Sequence, residues 1–152
     1  MEIAFAVVGH ENWGKSFTLK KFIGSAHKHW IEINGKWFYV KHMSNDDISG
    51  ELYDWVKDFI KKYKNKDYGL IFALCPDFEN LEKKTKKILE LLTDFDIFIK
   101  FFVLDKNYKS KKPISESEIS ILKKYGTIYS VDGTIECTDR ANKLRQFIEN
   151  LV

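Results

Sequence analysis

Two glycines, a lysine and a serine stand at a spacing that can hold a phosphate: Gly9-His10-Glu11-Asn12-Trp13-Gly14-Lys15-Ser16. Glycine at both ends lets the backbone bend and come close to phosphate oxygens with no Cβ in the way. The turned N–H groups between them would form an anion nest. A helix starting at the second glycine would add about half a positive charge at its N-terminus. Lys15 would reach the outer phosphates as a point charge. The Ser16 hydroxyl would take one site on Mg²⁺, a cation that takes hard oxygen ligands and keeps several waters. The competing reading is a glycine-rich strand-to-helix turn with no ligand.

The flanking segments are the ones such a loop needs. Ile3–Val8 is an apolar run that reads as a strand buried on both faces, and Phe17 to about Ile23 continues as a helix stopped by Gly24-Ser25. Next, β-rich runs flank Asn34-Gly35, from Trp30 to Met43. Asn-Gly in that setting predicts a type I′ hairpin, because both central residues need φ > 0. A helix follows Ser44-Asn45-Asp46-Asp47, with Ile48, Leu52, Trp55, Val56, Phe59, Ile60 and Tyr63 on one face. Then come a strand over Tyr68–Cys75 stopped by Pro76-Asp77, a helix over about Glu79–Thr93 with Leu81, Ile88, Leu92 and Phe95 inward, and a strand over Ile97–Leu104. A lysine-rich loop over Asp105–Lys112 leads to a helix over about Ser115–Tyr125, a strand over Thr127–Val131 and a last helix over Thr138–Leu151. In that last helix Thr138-Asp139 is the expected cap, and Ala141, Leu144, Phe147, Ile148 and Leu151 the buried stripe. The order β-α-β-β-α-β-α-β-α-β-α predicts one three-layer α/β/α domain over 1–152. Its sheet has about six strands, mostly parallel with one antiparallel.

Composition bounds the function. With 44 % apolar and 15 % aromatic residues, the 152-residue chain can bury a full core. No apolar run reaches the roughly 18–20 residues that cross a bilayer, so no membrane partner is expected. The first residues do not read as a secretory leader. Two cysteines, Cys75 and Cys137, fit a reduced, cytoplasmic protein, and Cys75 reads as a small buried residue. The net charge of +3 comes from lysines interleaved with acids, which reads as solvated surface rather than a nucleic-acid patch. Arg140 and Arg145 are the only arginines, too few for an arginine-lined substrate lid.

The eight-residue motif resembles the P-loop of the P-loop NTPases, and the element order resembles a minimal Ras-like GTPase domain. Asn12 falls where Era-like and TrmE-like GTPases carry an Asn that helps hold a monovalent cation, although Glu11 stands where that subfamily has Pro. The resemblance implies that Gly9, His10, Glu11, Asn12, Trp13, Gly14, Lys15, Ser16 and Phe17 bind the phosphates of a nucleotide. It also implies a Mg²⁺ ion served by Ser16 and by Asp46 or Asp47. Asp47-Ile48-Ser49-Gly50 matches the family's D-x-x-G, and Glu51 then takes the place of a water-orienting residue. Asp46 and Asp47 can equally cap the next helix, Glu51 can be a first-turn acid, and Asp77 can be a Walker-B-like acid or a cap. The guanine-reading N-K-x-D is broken: Asp105-Lys106-Asn107-Tyr108 stands in its place, leaving Asp105 and Lys106 as candidate base contacts. Ser130-Val131-Asp132-Gly133 could line the base side. The segment Gly24–His29 is too short for a switch loop and holds no threonine. His10, His27 and His29 lack zinc-site spacing with the cysteines, and His10 reads as a loop-shaping residue.

Three functions stay open on this reading. The first is a slow Mg²⁺-dependent NTPase that binds GTP or ATP, with Lys15 neutralising the transferred phosphoryl group and a protein partner or activator possible. The second is a small kinase passing the γ-phosphate to an acceptor. The third is an interaction domain with a vestigial loop.

Overall fold

The computed structural model describes residues 1–45, 51–106 and 113–152. Among them, β1 (Ile3–Val8), β2 (Trp30–Ile33), β3 (Lys36–Lys41), β4 (Tyr68–Leu74), β5 (Phe98–Leu104) and β6 (Gly126–Val131) form one sheet in the order β2-β3-β4-β1-β5-β6. Only β2 runs antiparallel, paired with β3 through Trp30↔Tyr39 and Ile33↔Lys36. Asn34 and Gly35 have φ of 51° and 82°, the left-handed pair that a type I′ turn requires. The helices are α1 (Lys15–Ile23), α2 (Glu51–Tyr63), α3 (Thr85–Asp94), α4 (Glu116–Lys123) and α5 (Cys137–Glu149).

The layers follow from chain direction. From β1 the chain crosses through α1 toward β3. It then reverses, through α2 to β4, α3 to β5 and α4 to β6. Parallel crossovers are right-handed, so reversing direction changes the face that the helix covers. Accordingly α1 packs with α5, while α2 packs with α3. The three-layer α/β/α architecture is the expected one. Its centre is the buried strand β1, with Phe5, Phe38, Phe72, Phe101 and Phe102 fully enclosed.

The reversal matters for the site. β1 sends its chain to one face, whereas its neighbours β4 and β5 send theirs to the other. The loops beyond the carboxyl end of β1 therefore part, and such a parting is where open α/β sheets hold ligands.

Several boundaries differ from the sequence expectation. The expected helix from Glu79 is a 3-10 turn, Leu81–Lys83, followed by Lys84 at φ 53° and only then α3. Asn80 caps that turn by accepting from the Glu82 amide, and the left-handed Lys84 separates the two segments. Leu81, expected inward, therefore points outward at 84 % exposure. Phe95 ends α3 as its half-exposed cap. α5 begins at Cys137 with Glu136 as its cap residue and no side-chain capping bond, so Thr138-Asp139 is not the cap. Leu151 lies past the helix and is exposed, while Ala141, Leu144 and Ile148 are buried as expected. Ser115 is the cap of α4 rather than its first residue, in a reciprocal capping box with Glu118.

Candidate functional site

The loop after β1 closes on itself through its own lysine. Lys15 Nζ donates to the Gly9 carbonyl at 2.6 Å and to the His10 carbonyl at 2.9 Å, and the side chain is buried. The His10 carbonyl also accepts from the Trp13 amide at 3.2 Å, and the Gly9 amide donates to Leu74 of β4 at 3.2 Å. Asn12 (φ 64°) and Gly14 (φ 83°) take the left-handed conformation that turns the loop into a bowl. α1 then starts at Lys15 with no side-chain cap and no acid in its first turn. First-turn amides have no partner within the helix, and a helix start of this kind favours negative charge.

Beside the bowl lies a cleft of about 160 Å³, lined by Asn12, Trp13, Gly14, Lys15, Ser16, Phe17, His42, Ser44 and Ala73. One wall is the loop and the start of α1. The opposite wall is the chain just past β3. The structure thus places Asn12 through Phe17, of the expected phosphate-binding residues, along one cleft. Gly9 is buried within the loop frame, and His10 faces the other way. Glu11 is exposed and does not line the cleft.

His10 has a structural task of its own. Its Nε2 meets Glu118 Oε1 at 3.1 Å, and the same oxygen accepts the Ser115 amide at 2.9 Å. His10 therefore ties the loop to the capped start of α4. Its other nitrogen stands 4.0 Å from the buried Cys75 thiol, and its ring packs edge-on to Trp13. On this side a second cleft of about 420 Å³ opens between the ends of β4 and β5, with His10, Trp13, Asp77, Phe78, Ser117 and Ile121 among its lining. Asp77 itself accepts from the Asn80 amide at 3.3 Å and lies 3.6 Å from Lys83, but the cap of the turn that follows is Asn80, so Asp77 is not its cap.

The remaining candidates fall elsewhere. Glu51 opens α2 and lines a separate cleft of about 120 Å³ with Lys41, Met43, Leu52 and Trp55; only Ser44 is common to it and the loop cleft. There burial pushes the Lys41 ammonium below its usual pKa, partly offset by Glu51. Asp105 and Lys106 line none of these clefts. Asp105 Oδ1 is buried without a hydrogen-bond partner, and Lys106 reaches Asp132 at 3.9 Å on the exposed side of the β6 end. Asp46, Asp47 and Tyr108 lie outside the described residues. Among the described residues no carboxylate lines the loop cleft and no three His, Cys, Asp or Glu side chains are arranged to hold a metal ion. The cleft's described donors suited to a hard cation are the hydroxyls of Ser16 and Ser44, which match the oxygen chemistry that Mg²⁺ takes.

Two side chains escaped the sequence reading. Arg140, on α5, is buried at 7 % exposure directly beneath the loop. Its Nε donates to Thr18 Oγ at 2.9 Å, and one terminal nitrogen donates to the carbonyls of Gly133 at 3.2 Å and Ile135 at 2.8 Å. The other terminal nitrogen would lie 2.7 Å from a Cβ at residue 14, a second reason besides its φ that this residue is glycine. No local signal marks Arg140, because 122 positions separate it from Thr18. The second is His42, just past β3. It is buried at 7 % exposure, and its Nε2 has no hydrogen-bond partner. Its ring lies 5.4 Å from that of His29, which stacks on Tyr39.

Burial first, then the charges of His29, Lys20 and Lys41, push the His42 pKa below that of a free imidazole. The unfolded chain therefore binds the proton more readily than the folded one. The stability held by neutral His42 is complete above the ordinary imidazole pKa and drains away as pH falls through it. Thermal melts from pH 7.5 to pH 5.5 should show a falling midpoint, and His42→Phe should flatten part of that slope. A variant with the wild-type slope would show that His42 does not carry it.

No protein-family profile matches the chain, and no curated protein matches it. A solved structure does: the solution NMR structure of a de novo designed protein, at 15 % identity, a TM-score of 0.60, and coverage of 98 % of this chain and 91 % of that one. The likeness concerns the fold. Among the described residues no helix is long and apolar enough to cross a membrane.

Proposed function

We propose that this protein binds a nucleoside triphosphate with Mg²⁺ in the loop cleft and hydrolyses it slowly. The observation that carries the reading is the Lys15 ammonium arched over its own loop onto the carbonyls of Gly9 and His10, in front of an uncapped helix start. That arrangement concentrates backbone donors and one fixed cation on a single anion-sized bowl. Lys15 and the loop amides hold the phosphates and stabilise charge developing on the terminal one, and Ser16 places the metal. When bound, Mg²⁺ supplies further charge neutralisation. Its carboxylate partner is proposed to be Asp46 or Asp47. No described side chain in the cleft is a strong base, which fits slow turnover. The base is GTP's or ATP's.

The larger cleft on the His10 side favours one alternative, a kinase whose small acceptor sits beside the loop. Product analysis separates the two: free phosphate for the hydrolase, phosphorylated acceptor for the kinase.

The first test is a thermal melt with GTP, ATP, GDP and ADP, with and without Mg²⁺. At a hundred times its Kd a ligand adds about 2.7 kcal/mol, which in a chain of this size raises the midpoint by about 5–10 °C. The expected result is such a rise with at least one Mg²⁺-triphosphate. No rise with any nucleotide overturns the reading and leaves a domain that acts through protein contacts.

A further inference from the structure

Resting on the triphosphate-binding reading above, we propose that Phe17 is the platform on which the nucleotide's base stacks, so that the protein takes purine nucleoside triphosphates without choosing between guanine and adenine. Among the described residues, three hollows share a lining residue with the loop cleft. The one reached past Ser44 holds about 120 Å³, well below the roughly 300 Å³ at which small-molecule sites begin. The one reached past Trp13 is larger, about 420 Å³, but Asp77, Glu79 and Glu118 line it. Carboxylates repel a ligand that carries a triphosphate, and the buried Trp13 offers it little ring. The one reached past Phe17 is an open groove of about 530 Å³, lined by Phe17, Lys20, Lys21, Gly24, Ser25 and Cys137. The charged residues described along it are the two lysines, the sign that suits a nucleotide.

Phe17 borders both spaces. Its ring is 69 % exposed, so it is open to a ligand on the surface of α1. It follows Ser16 and lies about 3 Å along the helix axis past Lys15. Phosphates held on the loop therefore bring the ribose and base within reach of that ring. Stacking of a base on an aromatic ring is worth roughly five- to a hundredfold in affinity, and it tolerates any base because every base has a π-face. A purine covers more of the ring than a pyrimidine does. Telling guanine from adenine takes a fixed hydrogen-bonding partner on the edge of the base. Among the described residues no Asp, Glu, Asn or Gln lines the groove, and Asp105 and Lys106 line neither it nor the loop cleft. Lys20 Nζ stands 5.7 Å from the Phe17 centroid. That is close to the outer limit of about 6 Å for a cation on a ring, so an incoming base displaces only a weak contact.

The test is calorimetric titration of the full chain with GTP, ATP, CTP and inorganic tripolyphosphate, all in Mg²⁺, for wild type, Phe17→Ala, Phe17→Trp and Lys15→Ala. Tripolyphosphate carries the phosphate chain without a nucleoside. Wild type should bind GTP and ATP within about threefold of each other, CTP more weakly, and tripolyphosphate about tenfold more weakly than either purine nucleotide. Phe17→Ala should lose that tenfold for GTP and ATP and keep its tripolyphosphate affinity, while Phe17→Trp should bind both purine nucleotides at least as well as wild type. A second readout needs no variant. Cys75 is buried and Cys137 is partly exposed in the groove, so iodoacetamide modifies Cys137 first. Saturating GTP or ATP should slow that modification by about fivefold or more through the stacked nucleoside, and saturating tripolyphosphate should not. Purine nucleotides that bind no tighter than tripolyphosphate overturn the inference. So do a Phe17→Ala protein with wild-type nucleotide affinity, a preference between GTP and ATP of about a hundredfold, or a Cys137 that GTP and ATP leave as reactive as before. Failure of the underlying reading looks different: wild type and Lys15→Ala would then be alike in binding neither nucleotide nor tripolyphosphate.

Discussion

Lys15→Ala is expected to lower triphosphate affinity by about a hundredfold, near 2.7 kcal/mol. Two losses add. The ammonium leaves a water-poor bowl where it faces the ligand's charge, and charge-assisted bonds are the strong ones. The bowl also loses its clasp, because the Gly9 and His10 carbonyls no longer share a donor. Gly9 is buried, so its carbonyl cannot turn freely to water. The nucleotide-free protein should therefore lose about 1–3 kcal/mol as well. Lys15→Arg should not rescue binding. A planar fork cannot take the place of a point charge that donates to two carbonyls on one side of a tight loop. Calorimetric titration and nucleotide-free melts check both parts. Nucleotide binding at wild-type strength in Lys15→Ala would remove the loop from the site.

How far the sequence reached depends on whether a signal is local. The loop was legible because two glycines, a lysine and a serine stand at a recognisable spacing, and because the apolar run before it and the periodic run after it announce the strand and helix that do flank it. The hairpin was legible because Asn34-Gly35 states its backbone conformation outright. Element order followed from periodicity, and with the right-handed rule it carries most of the topology. What was not legible lies in tertiary approach. The sheet order, with β4 between β3 and β1, puts Asp77 beside the loop and leaves His42 and Ser44 as the described reach of β3 toward it. Nothing in the run Val40-Lys41-His42-Met43 distinguishes a buried histidine from a surface one. The break at Lys84 was missed for a related reason. A lysine carries no left-handed signature, so its φ of 53° could not be read from the residue type, nor could the neighbouring bond from Thr85 Oγ to the Cys75 carbonyl at 3.0 Å. Arg140 is the clearest case, since two arginines on a last helix show only that there is no arginine-lined lid until α5 is laid against α1.

Arg140→Met is expected to cost about 2–4 kcal/mol, more than most single changes on a helix surface. Among the described residues no carboxylate pairs with Arg140, so the buried charge is held by oxygen acceptors alone: Thr18 Oγ and the carbonyls of Gly133 and Ile135. Methionine fills much of the same volume and relieves the burial of a cation, which is favourable. Against that, it leaves three acceptors without their donor at a junction of α1, α5 and the turn after β6, and unsatisfied buried acceptors outweigh the relief. Thr18 keeps a bond of its own to the Gly14 carbonyl at 2.8 Å, so α1 should stay helical while its seating against α5 loosens. The consequence reaches the loop, because the guanidinium stands where a Cβ on Gly14 would point, at the place where the bowl turns into the helix. Triphosphate affinity should accordingly fall by roughly three- to tenfold in variant protein that is still folded, within the range of one lost hydrogen bond. Arg140→Lys separates charge from geometry. It keeps the positive field beneath the loop but not the fork that reaches three acceptors, so it should recover affinity more than stability. Denaturant melts and titrations on both variants read the two effects apart. An Arg140→Met protein that melts and binds like wild type would mean that the loop is held by Lys15 alone, with α5 as mere cover.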